Sequence, residues 1–191
     1  MTAFRCTAKL LKAMNVKPLT APTPATNKLG EWTATLVRVG RIQLVLAVSE
    51  PTRLAVAIDA APYATVPQRF AEALFASLLE LGIDAEAATA ELTAMLPLQL
   101  AASNSRSVLG TLNQFAWQAD CAIRSGESVS AAKVTRDLAR TIVLKPKGVD
   151  FPADRVREAF GLPAWTRRER LQAWFPDGLP AQLLPPDASS Q

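Results

Sequence analysis

Three apolar runs separated by short turn signals dominate the first third of the chain. Residues 32–39, 41–49 and 53–58 are rich in Val, Ile, Leu and Thr, and are broken by Gly40 and by Ser49-Glu50-Pro51-Thr52. Turns this short force neighbouring strands to run antiparallel, so a three-stranded meander is expected. Ile42, Leu44, Leu46 and Val48 alternate along the second strand and mark its core face. From Pro67 onward the apolar period lengthens. Phe70, Leu74, Leu78 and Leu81 recur at i, i+4, i+8 and i+11, which predicts a helix opened by Pro67 and ended by Gly82. Asp84 caps a second helix that carries Glu86 in its first turn and stops before Pro97.

Leu98–Ala102 is short and apolar, suited to return to the sheet as a further strand. Ser103-Asn104-Ser105 then supplies an N-cap for a long helix over 106–125. A helix over 130–143 follows, with Val134, Leu138 and Ile142 facing inward. Two shorter helices come last: 152–160, closed by Gly161, and one running to Phe175, opened by the capping box Thr166-Arg167-Arg168-Glu169. At the start, residues 4–7 read as a strand, followed by a helix bearing Leu10, Leu11 and Met14. Residues 17–28 (KPLTAPTPATNK) are a proline-rich loop, and 176–191, with four prolines, are expected to be poorly ordered.

The expected class is α+β. It comprises an antiparallel sheet, the meander plus one or two further strands, packed against several helices, with a helical C-terminal half. Residues 1–161 form one domain, and 162–191 a C-terminal extension of a short helix and a proline-rich tail.

Composition narrows the chemistry more than the fold. The 191 residues contain no histidine, which removes Ser-His-Asp and Cys-His catalysis, His-ligated zinc and imidazole proton shuttling. Cys6 and Cys121 are far apart and form no CxxC, so no metal site is expected and Cys6 reads as a buried structural thiol. No phosphate-cradling glycine loop and no nucleophile elbow occurs, so no cofactor is expected. The opening residues lack an apolar leader core, and no apolar run approaches the ~20 residues of a membrane span. With two isolated thiols, the expected compartment is the cytoplasm.

The net charge of +4 hides a segregation. Residues 1–53 carry +6, 54–132 carry −5, 133–170 carry +5 and the last 21 carry −2. Lys133, Arg136 and Arg140 share one helix face, and Arg167, Arg168 and Arg170 cluster near Trp165 and Trp174. Lys145, Lys147, Arg155 and Arg157 lie between them. A mixture of arginine and tryptophan suits phosphates and bases. The same residues equally suit internal pairing, with Lys133–Asp137 spaced i, i+4.

The helix after Asn104 is the most informative segment. Val108, Leu112, Phe115, Ala119 and Ile123 make a core stripe, and a second line, Arg106, Gly110, Asn113 and Trp117, runs along another face. A helix-interior glycine costs about 1 kcal/mol relative to alanine, so a close approach by another backbone or a ligand would explain Gly110. Arg106 stands in the first turn, where the helix dipole disfavours a cation. It needs an anion nearby, either Glu50 or Asp59 of the fold or a bound one.

Arg5-Cys6-Thr7-x-Lys9-Leu10-Leu11, Leu29-Gly30-x-Trp32-x-Ala34-x-Leu36 and Arg41-x-Gln43-Leu44-Val45-Leu46 resemble the opening of an uncharacterised family of small bacterial proteins. Ser103-Asn104-Ser105-Arg106-Ser107-Val108-Leu109-Gly110-x-Leu112-Asn113 is similar to its Asn-Arg-Ser-Val-Leu-Gly-x-Leu-Asn signature. Here Ser105 separates the asparagine from the arginine. The resemblance spans about residues 3 to 160 and brings no activity with it.

The expected function is that of a non-enzymatic cytoplasmic binding protein, in a regulatory, toxin–antitoxin or mobile-element setting. Its partner is a protein or a nucleic acid, met through Arg106, Asn113, Asn104, Arg38, Arg41 and the basic segments, with homo-oligomers an open alternative. The rival is a histidine-free, RNase-like enzyme acting on a phosphate-containing substrate with Arg38, Arg41, Arg106 and Glu50.

Overall fold

The meander forms where the β-branched runs lie. In the computed structural model, which describes residues 1–127, 130–144 and 150–174, β2 (Trp32–Val39) pairs with β3 (Ile42–Ser49) from Trp32↔Ser49 to Val39↔Ile42. Gly40 opens the two-residue turn at φ 57, a conformation that costs glycine no Cβ clash. β4 (Ala55–Asp59) adds antiparallel to β3. The apolar Leu98–Ala102 segment enters the sheet as β5, giving the order β4-β3-β2-β1-β5, with β1 spanning Thr2–Cys6.

The alternation predicts an antiparallel sheet, but the sheet is mixed. β1 runs parallel to both its neighbours, β2 and β5. The reason is the length of the connections. Between β1 and β2 the chain passes through α1 (Ala8–Met14) and a loop; between β4 and β5 it passes through α2 (Val66–Glu80) and α3 (Ala85–Met95). Such connections let the chain cross over and return in the same direction, which the meander's tight turns forbid.

Helices cover both faces. On one, α1, α2, α3 and α6 (Pro152–Ala159) enclose a core in which the Phe70 ring lies 4.9 Å from both Phe4 and Trp32. On the other, α4 (Arg106–Arg124) and α5 (Ala131–Ala139) set Val108, Leu112, Phe115, Val134 and Leu138 against Leu44, Leu46 and Val48. β3 is therefore buried on both sides, with Val45 and Ala47 in the first core. Ile42, which the alternation places inward, is 43% exposed beside the β2–β3 turn. Ile142 is likewise exposed and Val143 buried in its stead, because α5 ends at Ala139 and the helical period stops there.

Both edges of the sheet are covered. Leu19 N–H donates to the Leu100 carbonyl of β5 (2.8 Å), and the Thr135 hydroxyl on α5 accepts from Ala57 N–H of β4 (2.8 Å). These contacts occupy strand edges that would otherwise be open to pairing. The capping box opens α7 (Arg167–Trp174) as predicted: Glu169 N–H donates to Thr166 Oγ1 (3.2 Å) and Thr166 N–H to Glu169 Oε2 (2.8 Å). The expectations for Lys145, Lys147, the helix end at Phe175 and 176–191 lie outside the described residues.

The outer face of helix α4 as candidate functional site

Ser105 caps α4 by accepting from Val108 N–H (3.4 Å), so the 19-residue helix starts at Arg106. Its core stripe turns Val108, Leu112, Phe115 and Ala119 onto the sheet. At 100° per residue, Arg106, Gly110, Asn113, Trp117 and Cys121 fall within an arc of about 80° on the opposite side. All five are exposed, Trp117 by 68%, and Asn104 is exposed just before the helix.

Three features of this face have no explanation among the described residues. Arg106 makes no ion pair or side-chain hydrogen bond among the described residues, with Glu50 and Asp59 included. A Cβ on Gly110 would meet nothing within 4 Å, and its φ is an ordinary helical one, so neither packing nor backbone shape calls for glycine. Trp117 leaves most of a large apolar surface in water. A Gly110→Ala variant is accordingly expected to be more stable than the natural chain by about 0.5–1 kcal/mol in a urea melt, since alanine removes only backbone entropy there.

Beneath the first turn of α4 lies Arg53, which sequence reasoning did not single out. It sits in the β3–β4 turn at φ 59, only 4% exposed, and its Nη2 donates to Ser107 Oγ (3.0 Å). Burial pulls its pKa below the usual arginine value, with nearby Glu50 opposing. Positive φ at a non-glycine residue was the missing signal, and the sequence does not display it.

The other candidates are dispersed. Arg38 is exposed on the β2 face that carries Ala34 and Leu36, opposite α4. Arg41 is exposed in the β2–β3 turn, at the other end of β3 from Glu50 and Arg53, roughly 25 Å away along an eight-residue strand. Arg38 and Arg41 are thus not brought together with Arg106 and Glu50. The larger hollows, about 390, 480 and 540 Å³, are lined by none of Arg38, Arg41, Arg106 and Asn113.

Most of the basic segment is engaged within the fold. Lys133 pairs with Asp137 (3.0 Å), Arg136 with Glu80 (3.2 Å) and Arg170 with Asp154 (2.7 Å), the last also stacking 4.1 Å from the Phe151 ring. Arg140 is half-buried beside Leu54 and Trp165, and burial lowers its pKa. Arg167 and Arg168 are exposed and make no ion pair among the described residues.

The two thiols differ sharply. Cys6 is fully buried in β1, and desolvation pushes its pKa from 9.0 up to about 12, whereas Cys121 is exposed. A thiol reagent should therefore modify one cysteine in the native protein and two in urea. Because the folded pKa is raised, the stability Cys6 provides is complete below pH ~9 and is lost as the pH climbs toward 12. Unfolding titrations of Cys6→Ala should show a shallower alkaline loss than those of the natural chain. Among the described residues, no helix is long and apolar enough to cross a membrane, and no three His, Cys, Asp or Glu side chains gather as a metal site requires.

These features define a mixed-sheet α/β protein, helix-covered on both faces, with one long helix whose outer side carries solvent-exposed Arg, Asn and Trp. The chain belongs to the family described as a domain of unknown function (DUF6933), whose model matches residues 3–155. The match includes all of α4 and ends within α6. No match to the chain is found among curated proteins or among solved structures.

Proposed function

We propose that the chain is a non-enzymatic binding protein that engages a protein partner through the outer face of α4. The observation that carries this reading is the exposed Trp117 in line with Arg106, which has no ion pair among the described residues, with Asn113 and open Gly110 between them. Tryptophan and arginine are the residues most enriched at interaction hot spots, where desolvating the ring and pairing the guanidinium dominate affinity. The engagement of Lys133, Arg136 and Arg170 with carboxylates of the fold supports a protein over a polyanion, because it leaves fewer cations for phosphates.

The test of this choice is a low-salt filter-binding titration with RNA and with DNA. Retention no greater than that of Arg106→Glu is expected. Tight retention that falls steeply with salt and is lost in Arg106→Glu would replace the protein partner with a nucleic acid. Release of phosphate or cleavage of RNA by the purified chain would replace both with the enzyme alternative.

A further inference from the structure

We infer that the partner fitted to the α4 face is a second copy of this chain, the two α4 helices packing antiparallel about a two-fold axis through Asn113. This inference rests on α4 being the interaction surface and names its occupant.

The face is complementary to itself about one point. Arg106 and Asp120 lie seven positions on either side of Asn113 and carry opposite charges. Gly110 and Trp117 are three and four positions from it, one offering an empty notch and the other a projecting ring. In an antiparallel pair centred there, Arg106 of each copy meets Asp120 of the other, about 10 Å along the axis from the centre. Trp117 of each copy covers Gly110 of the other. Asn113 meets its own copy, and its amide supplies both donor and acceptor. A two-fold interface demands that every contact occur twice with roles exchanged; the Arg106–Asp120 and Asn113–Asn113 relations share the centre at Asn113, and the Trp117–Gly110 relation is offset from it by half a residue, about 0.75 Å along the axis, which the breadth of an indole ring spans.

The positions are available for such contacts. Arg106, Gly110, Asn113 and Trp117 are exposed. Asp120 is half-exposed, and its i, i+4 pairing with Arg124 (2.7 Å) uses only Oδ2. The arrangement also explains why glycine stands at a helical position where nothing among the described residues requires it. One helix face is smaller than the roughly 800 Å² that each partner gives in a standard interface, so the pair is a weak, reversible one.

Sedimentation velocity on the full chain between about 10 µM and about 1 mM tests the pairing in the range where weak dimers form. The sedimentation coefficient should rise with concentration toward that of a dimer. Arg106→Asp and Asp120→Arg should each hold the protein monomeric, and the double exchange should restore association. Trp117→Ala and Gly110→Leu should abolish it. These four positions are at least partly exposed, and a native far-ultraviolet circular dichroism spectrum with a cooperative melt would confirm that each variant folds. In a Cys121→Ser background, Asn113→Cys should yield a reducible homodimer under mild oxidation, and Lys12→Cys, on the opposite side of the sheet, should not. A natural chain that stays monomeric at the highest concentration overturns the pairing. So does a dimer that persists in Arg106→Asp and Trp117→Ala. A monomeric chain whose α4 face still cross-links to a different protein would refute self-pairing alone and leave the α4 interface standing.

Discussion

Replacing Glu91 by alanine is expected to lower stability by roughly 2–5 kcal/mol, although Glu91 belongs to no ion pair among the described residues. Glu91 is 4% exposed on α3 and accepts from the Asn27 amide (2.8 Å), Lys28 N–H (2.9 Å) and Leu29 N–H (2.9 Å). Asn27 in turn accepts from the Thr2 hydroxyl (2.6 Å), so one carboxylate ties α3, the loop before β2 and the start of β1 together. Truncation leaves two backbone N–H groups without acceptors, one of them on fully buried Leu29. Each orphaned donor costs about 1–3 kcal/mol. For a chain of this size, 1 kcal/mol moves Tm by about 2–4 °C, so a fall near 10 °C should be seen by calorimetry. Glu91→Gln, which keeps an acceptor oxygen, should lose less. A change below about 1 kcal/mol would show that water replaces the carboxylate and that the loop is not held as described.

Phe70→Ala should be at least as damaging, at about 3–5 kcal/mol, because it removes the ring on which the larger core is built. Phe70 is fully buried on α2, with Phe4 of β1 and Trp32 of β2 both 4.9 Å from its centroid. Both ring neighbours stand on paired strands of the sheet, which limits how far they can collapse into the space. Phe70→Leu retains much of the volume and should cost less than half as much. Denaturant melts of the two variants separate cavity formation from loss of apolar area. Near-equal destabilisation would mean that the aromatic contacts matter more than the volume.

How much of the fold is legible in the sequence depends on whether local rules decide the outcome. The meander, the caps at Asp84 and Ser105 and the Thr166–Glu169 box follow from turns and side-chain oxygens within a few residues, and each stands where the pattern places it. Strand direction in β1 and β5 is a tertiary matter, because long helical connections permit either direction. Burial of β3 on both faces depends on helices that arrive from distant parts of the chain. The outer line of α4 is visible as a helical period, whereas the lack of a partner for Arg106 among the described residues is a matter of geometry. Glu91 gives a subtler signal, since it occupies the inward stripe of α3 between Ala88 and Met95. A carboxylate in such a stripe signals buried donors awaiting it.

We propose that this protein meets a partner protein through the outer face of α4. That contact is tested most directly by placing a photo-crosslinking residue at Asn113 of the full chain in cells, with the same residue at Lys12 as control. A discrete adduct from position 113 is predicted, absent from position 12 and lost when Arg106 is replaced by Asp. Identical adducts from both positions, or none from position 113, would contradict the claim.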